Sequence, residues 1–494
     1  MNLSLFKINI IQISFFTVIN KIFSLYKRNK KMNKEKKLPY QTKDQEVGLK
    51  EPLLSPTSTH PTSQTSPRRF DEMDINDTGK VLHLSMKCGL MAFEEVKRDR
   101  HILKREAVHN ENLVSEGQFL YLEEMIENLP GHTTSQMIFA ITLMRTKSVA
   151  SSFMNVIIYH LPALIITLIV AELDRYYGEY YARTVYTPKD NFFKFYMAVL
   201  IMGICQGVVG LLLNNGIVLF NKRAENNFNM ILMVVSAFIF IMNSSYWVLF
   251  FVMMTWGVLC VLRGEENKFL NKSATAIAAN TEGINYLGAP ALLTFAGLFL
   301  GLNILIHFHF FHNIYTYLMT SFFTIGTFTT TGGHSLFPLA LTQFRDDMTK
   351  MELLKGLGLV SLLPGPVFNF AGFVGGVLGG IIAGVISVFS LVLPGLLILM
   401  AIMSYPESIK YNSVLRNFLI GLNLASIGFI FAAAYMVFRE AVWHNPYVDA
   451  FTSSLNVLLA FVLLYWNNML VPPTLLISGG VAMLYSLVYT QIIH

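Results

Sequence analysis

The chain has 494 residues, of which 53% are hydrophobic and only 14% charged, and its mean hydropathy is +0.49. That balance excludes an ordinary water-exposed surface and makes lipid the solvent. The formal charge of +6 comes mainly from Lys21, Lys27, Arg28, Lys30, Lys31, Lys34, Lys36 and Lys37, a cluster ahead of the apolar runs that marks a cytoplasmic side and not a nucleic-acid partner.

In chain order, residues 1–27 are apolar but interrupted by Lys7, Asn9, Asn20 and Lys21, which suits an interfacial helix better than a span. A start at Met32 is an alternative. From about residue 30 to 76 the sequence is rich in Lys, Pro, Ser and Thr, with LLSPTSTHPTSQTSPRR at its centre, and reads as a disordered cytoplasmic tail. The expected organisation is a tail over 1–78, a first membrane unit over 79–264, a linker with one transmembrane helix over 265–310, and a second membrane unit over 311–494. Apolar runs near the ~20 residues that cross hydrocarbon lie at 152–173, 195–220, 287–306, 383–404, 418–438 and 471–487. The segment 82–93 is shorter. The basic cluster Lys97, Arg98, Arg100, Lys104 and Arg105 that follows it fits poorly with a full crossing, so a re-entrant element is one reading. Cys88, Cys205 and Cys260 have no metal-ligand spacing and read as inert, buried thiols. Trp247, Trp443 and Trp466 sit at span ends and read as headgroup anchors.

The strongest organisational signal is an internal repeat. Asn128-Leu129-Pro130-Gly131-His132, followed by a span carrying Leu161-Pro162-Ala163, is repeated as Leu362-Leu363-Pro364-Gly365-Pro366, followed by Leu393-Pro394-Gly395. The offset is 234 residues from Pro130 to Pro364 and 232 from Pro162 to Pro394. Lys and Arg at alternating span ends, with one extra apolar segment between the copies, predict that the second copy is inverted. The fold class that follows is all-α: a polytopic membrane protein of two homologous helical units in inverted topology, with broken or re-entrant helices.

Two kinds of element can meet an anion. In Pro364-Gly365-Pro366-Val367 with Asn369, and in Pro130-Gly131-His132-Thr133 with Gln136, proline and glycine let a helix start abruptly. At membrane depth its first N–H groups need a partner, and the helix dipole adds roughly half a positive charge there. Thr331-Gly332-Gly333-His334 is glycine-rich enough to form an anion-binding nest, and Arg345 lies just beyond it. Its counterpart in the first unit carries Glu94-Glu95, which would repel an anion. His160, inside an apolar run, reads equally as a functional group or as packing. Gly372, Gly376, Gly380 and Gly384 recur every fourth residue and read as a small-residue stripe on one helix face. His307, His309 and His312 lack metal-ligand geometry. No nucleotide signature and no nucleophile–base pair is present, so catalysis, a cofactor and a bound metal are all unsupported.

The motifs GTFTTTGGHSLFPLALTQF, LLPGPVFNFAGFVGG and LVLPGLLILM resemble one unit of the chromate ion transporter family, and ENLPGHTTSQMIFAI with YHLPALIITLIVAEL resembles the other. The similarity covers about residues 80 to 490 and corresponds to the family's long, two-unit form. It implies a secondary carrier for chromate, in exchange with or alongside sulfate or another oxyanion. An anion-binding role would then fall on Pro364, Gly365, Pro366, Asn369, Gly332, Gly333 and Arg345, and more weakly on Gly131, His132, Thr133 and Gln136. The first unit departs from the family pattern at Glu94-Glu95 and at His132. Alternatives are an anion channel and a non-transporting scaffold or sensor. The expected partners are the oxyanion and the bilayer, and a homodimer is compatible with the sequence.

Overall fold

The computed structural model describes residues 75–93, 96–183, 192–264, 285–307, 313–405 and 412–493, all within one unit, Arg69–His494. The basic N-terminal cluster, most of the polar tail, Glu94, Glu95, His309 and His312 lie outside the described residues. Sixteen α-helices and no strand occur among the described residues. The first unit contains α1 (Ile75–Met91), α2 (Val96–Lys104), α3 (Glu116–Ile126), α4 (Thr133–Thr146), α5 (Val149–Arg183), α6 (Phe192–Arg223), α7 (Asn227–Met242) and α8 (Tyr246–Arg263). After the linker helix α9 (Gly288–His307) come α10 (Ile314–Phe328), α11 (Leu336–Gln343), α12 (Lys350–Ser361), α13 (Phe370–Ser404), α14 (Ser413–Phe438), α15 (Ala450–Tyr465) and α16 (Val471–Ile493). Among the described residues six helices are long and apolar enough to cross a membrane. The chain is a multi-pass integral membrane protein.

The repeat extends to the helix caps. Ser115 closes a capping box with Gln118 at the start of α3, and Thr349 does the same with Glu352 at the start of α12. Each box satisfies two of the N–H groups that a helix start leaves open. Both helices are followed within a few residues by Leu-Pro-Gly.

Each unit opens with two helical hairpins. In the first unit α1 stops at Ala92 and the chain doubles back, so that Lys87 on α1 pairs with Glu106 at 2.7 Å and His83 with Glu111 at 2.9 Å. This is the re-entrant reading of segment 82–93, and of the basic residues that follow, Arg100 and Lys104 pair with Glu123 and Glu116 of α3. The second hairpin, α3–α4, pivots at Pro130-Gly131. At its open end the Arg145 guanidinium donates to the Leu113 carbonyl, tying the end of α4 to the start of α3.

The glycine stripe is not on one continuous helix face, as the sequence suggested. Gly380 takes φ +83 and ψ −176 and bends α13 into two legs, a backbone conformation essentially reserved for glycine. Gly375 then lies against Ser387 and Gly372 against Val388 across the bend. The glycines let two legs of one hairpin approach closely, a packing role. The second leg, about 24 residues, is long enough to span the hydrocarbon.

α6 and α14, equivalent in the repeat, run in opposite directions. The N-terminal part of α6 (Ala198, Ile201, Met202) shares a cavity with the start of α12, where Lys350 also pairs with Glu440 just past the end of α14. At the other end Lys222 and Arg223 of α6 bond Glu127 and Asn128, and Asn128 reaches Asn423 of α14. Each of these helices packs against the last two helices of the opposite unit: Gly203 and Gly210 of α6 against Gly479 and Ala460, and Gly421 and Gly428 of α14 against Trp256 and Met233.

A Gly380→Ala substitution removes the only residue type that fits this bend. It should cost about 1–3 kcal/mol, read as a lower thermal unfolding midpoint in detergent; an unchanged midpoint would show that the bend is not strained.

Candidate anion-binding site

The two Pro-Gly pivots are docked reciprocally. The Gly131 N–H donates to the Thr329 carbonyl, at the end of α10, and the Gly365 N–H donates to the Ala92 carbonyl, at the equivalent end of α1, both at 2.7 Å. Gly131 and Gly365 hold φ at +115 and +133. A Cβ on Gly131 would press on Gly395 beside Pro394, and one on Gly365 would collide with Ala163 beside Pro162. Each pivot therefore rests on the proline-bearing helix of the other unit. Gln136 reinforces the first contact by donating to the carbonyls of Pro130 at 2.6 Å and Gly395 at 3.0 Å.

Above the first pivot, α4 begins at His132. The imidazole caps the helix: its Nδ1 accepts the Ser135 N–H at 3.2 Å. Thr133 and Thr134, in the first turn, have no acceptor within their own helix. Facing them is the short turn Thr331–Gly333, in which three successive residues hold positive φ. Gly332 lies against the Thr133 hydroxyl and Gly333 against the His132 and Phe368 rings. This turn offers fewer free donors than the predicted nest, because the Thr331 N–H goes to Asn423 Oδ1 at 2.9 Å and the Gly333 N–H to the Thr330 carbonyl. Thr330 is held in turn by Ser335 and Ser426.

A cavity of about 330 Å³ ends on this convergence. His132, Thr133, Thr134, Thr331, Gly332 and His334 line its floor, and Asp99, Arg100, Glu123, Glu127 and Lys222 line its mouth. Arg100 pairs with Glu123, and Lys222 with Glu127, so the charges at the mouth are largely spent on each other. On the far side of His334 a void of about 30 Å³ is lined by Asn215, Gly333, Ser361 and Val367. A third cavity, about 830 Å³, opens at the other end of α6. Between these last two, Gly358 of α12 packs against Ile204 and Val208 of α6.

His132, Thr133, Thr331, Gly332, Gly333 and His334 are thus brought together. Val367 reaches the same place through the small void. Pro130, Gly131, Gln136, Pro364, Gly365 and Pro366 build the pivots and do not line the large cavity. Arg345 stands apart from the cluster: its side chain is 57% exposed, beside Asp346, and it lines the 830 Å³ cavity. Its place in the sequence after the glycine turn gave no sign that α11 carries it away.

The sequence reading passed over Asn215 and Asn423, polar residues inside apolar helices. It did flag His160, which the structure places in a buried chain. Ser135 Oγ lies 2.9 Å from His132 Nδ1 and 3.0 Å from His160 Nε2. His160 Nδ1 is 3.1 Å from Asn369 Oδ1, and Asn369 Nδ2 donates to the His160 carbonyl at 3.3 Å. Asn369 therefore belongs to this chain and not to the cavity lining.

Two helical units that cross at paired, broken helix starts, with a polar cavity ending there, define a membrane transporter architecture. The chain belongs to the chromate transporter family, whose pattern matches residues 100–261 and 316–484, one match in each unit. It is also 24% identical over 429 residues to an uncharacterized transporter of Methanocaldococcus jannaschii, an alignment covering 85% of this chain and 98% of that protein. No solved structure matches it.

Cys88, Cys205 and Cys260 are buried, so a cysteine introduced at Thr133 should be the dominant site of labelling by a water-soluble methanethiosulfonate. Labelling no faster than the parent protein would mean that the cavity is closed to water.

Proposed function

We propose that this protein is a secondary carrier of a tetrahedral oxyanion, chromate or sulfate, bound between the first turn of α4 and the Thr331–Gly333 turn. The observation that carries the reading is the 330 Å³ cavity whose floor combines His132, Thr133 and Thr134 with Gly332 and His334. Main-chain N–H groups, threonine hydroxyls and a helix N-terminus suit an oxyanion without a full positive charge. A floor without Lys or Arg also releases its ligand readily, as a carrier requires.

A carrier is favoured over a channel because the cavities at the two ends of α6 are separated by packed groups, Gly358 against Ile204 and Val208. The opposed directions of α6 and α14 support an inverted repeat across the membrane. Rocking of one unit against the other about the docked pivots would then open the site to either side. Exchange of one oxyanion for another fits a single site with two exits.

Radiolabelled chromate and sulfate uptake by proteoliposomes tests the reading. Uptake should saturate, and Gly332→Leu, which pushes a side chain into the Thr133 hydroxyl, should lower it at least about tenfold, the scale of losing ~1.4 kcal/mol of binding. Arg345→Ala should stay within about twofold, below ~0.5 kcal/mol. Absence of flux with both anions, or a Gly332→Leu protein as active as the parent, would refute it.

A further inference from the structure

The buried chain His132–Ser135–His160–Asn369 has more contacts than hydrogens to fill them. All four residues are buried. Asn369 Nδ2 donates to the His160 carbonyl, which turns Oδ1 toward His160 Nδ1; the flipped amide would set two oxygens against each other. His160 must then carry its hydrogen on Nδ1, and a neutral imidazole has none left for Nε2. The Ser135 hydroxyl has one hydrogen for two neighbours, His160 Nε2 at 3.0 Å and His132 Nδ1 at 2.9 Å. Whichever it serves, two lone pairs face each other at the other contact. Moving the His132 hydrogen to Nδ1 would oppose the Ser135 N–H that this atom accepts.

We propose that this chain is a proton-binding site, so that one proton enters with the oxyanion and is held on His160. One added hydrogen on Nε2 completes every contact. Nε2–H donates to Ser135 Oγ, the Ser135 hydroxyl donates to His132 Nδ1, and Nδ1–H keeps its bond to Asn369 Oδ1. His132 shares its Nδ1 lone pair between the Ser135 hydroxyl and N–H, and presents the rest of its ring to the cavity.

The surroundings couple the proton to the anion. The groups facing His160 are the Tyr159 ring at 5.3 Å and the His132 ring at 6.4 Å, with His334 beside His132 in the lining of the cavity. α9, α10 and α13 contribute Leu298, Leu302, Met319, Phe323 and Leu393, and α1 packs on Tyr159 through Gly89, next to Cys88. No carboxylate, lysine or arginine is among these described neighbours. A lone imidazolium there is costly, and so is a lone oxyanion on the cavity floor. Each supplies the charge that the other lacks.

This inference rests on the transport reading and deepens it by naming the ion that accompanies the substrate. The test is calorimetric titration of the purified full chain with sulfate, and with chromate, in buffers of different ionisation enthalpy, which counts protons taken up on binding. Parallel proteoliposome uptake is followed with a pH dye trapped inside. The expected result is about one proton per anion and acidification of the lumen. His160→Gln, which keeps a polar group beside Ser135 but cannot hold the proton, should make anion binding independent of buffer and flux independent of pH. Asn369→Asp places a carboxylate against Nδ1 and should move the pH midpoint of binding upward by about one to three units; this second variant decides the matter if His160→Gln fails to fold. Anion binding with no buffer dependence, or wild-type proton uptake in His160→Gln, overturns the proton site alone. Neither heat nor flux with either anion overturns the carrier reading and the proton site together.

Discussion

Two backbone hydrogen bonds, from the Gly131 N–H to Thr329 and from the Gly365 N–H to Ala92, hold the second hairpin of each unit to the first hairpin of the other. Inside hydrocarbon a helix start and a helix end with unpaired backbone groups would each cost several kcal/mol. Here each such end answers the other. The bond is possible only because glycine accepts the required φ and leaves room for Gly395 or Ala163. The cavity, the cap of α4 and the position of the Thr331–Gly333 turn all depend on this crossing.

The two pivots have equivalent frames and unequal chemistry. In the second unit Pro366 precedes the helix start, and its ring nitrogen is the backbone amide, which has no N–H and no proton to exchange. In the first unit His132 takes that place, caps α4 and connects through Ser135 to His160. The large cavity ends on the histidine side, while the proline side meets only the small void through Val367. The departure at His132 from the family pattern is therefore where polar chemistry is concentrated.

Much of the frame was legible in the sequence. The predicted spans fall on helices, and the offset of 234 between Pro130 and Pro364 is matched by the same offset between the caps Ser115 and Thr349, a signal present in the sequence that the reading did not use. The bend at Gly380 was hidden because glycines every fourth residue look the same on a straight helix and across a hairpin. The donors at Thr331 and Gly333 looked free because Asn423 lies 92 residues away in the chain. Arg345 looked close for the opposite reason, since nearness in sequence says nothing about where α11 leads. The buried chain could not be read at all, because Asn369 and His160 are separated by 209 residues and belong to different units.

The most direct measurement is an experimental structure of the protein in lipid nanodiscs with chromate or sulfate bound. The account predicts one tetrahedral density on the cavity floor, with oxygens about 3 Å from the Thr133 or Thr134 N–H and beside Gly332. An anion seated instead among Lys355, Arg175 and Arg345 in the cavity at the other end of α6, with the floor at His132 empty, would contradict it.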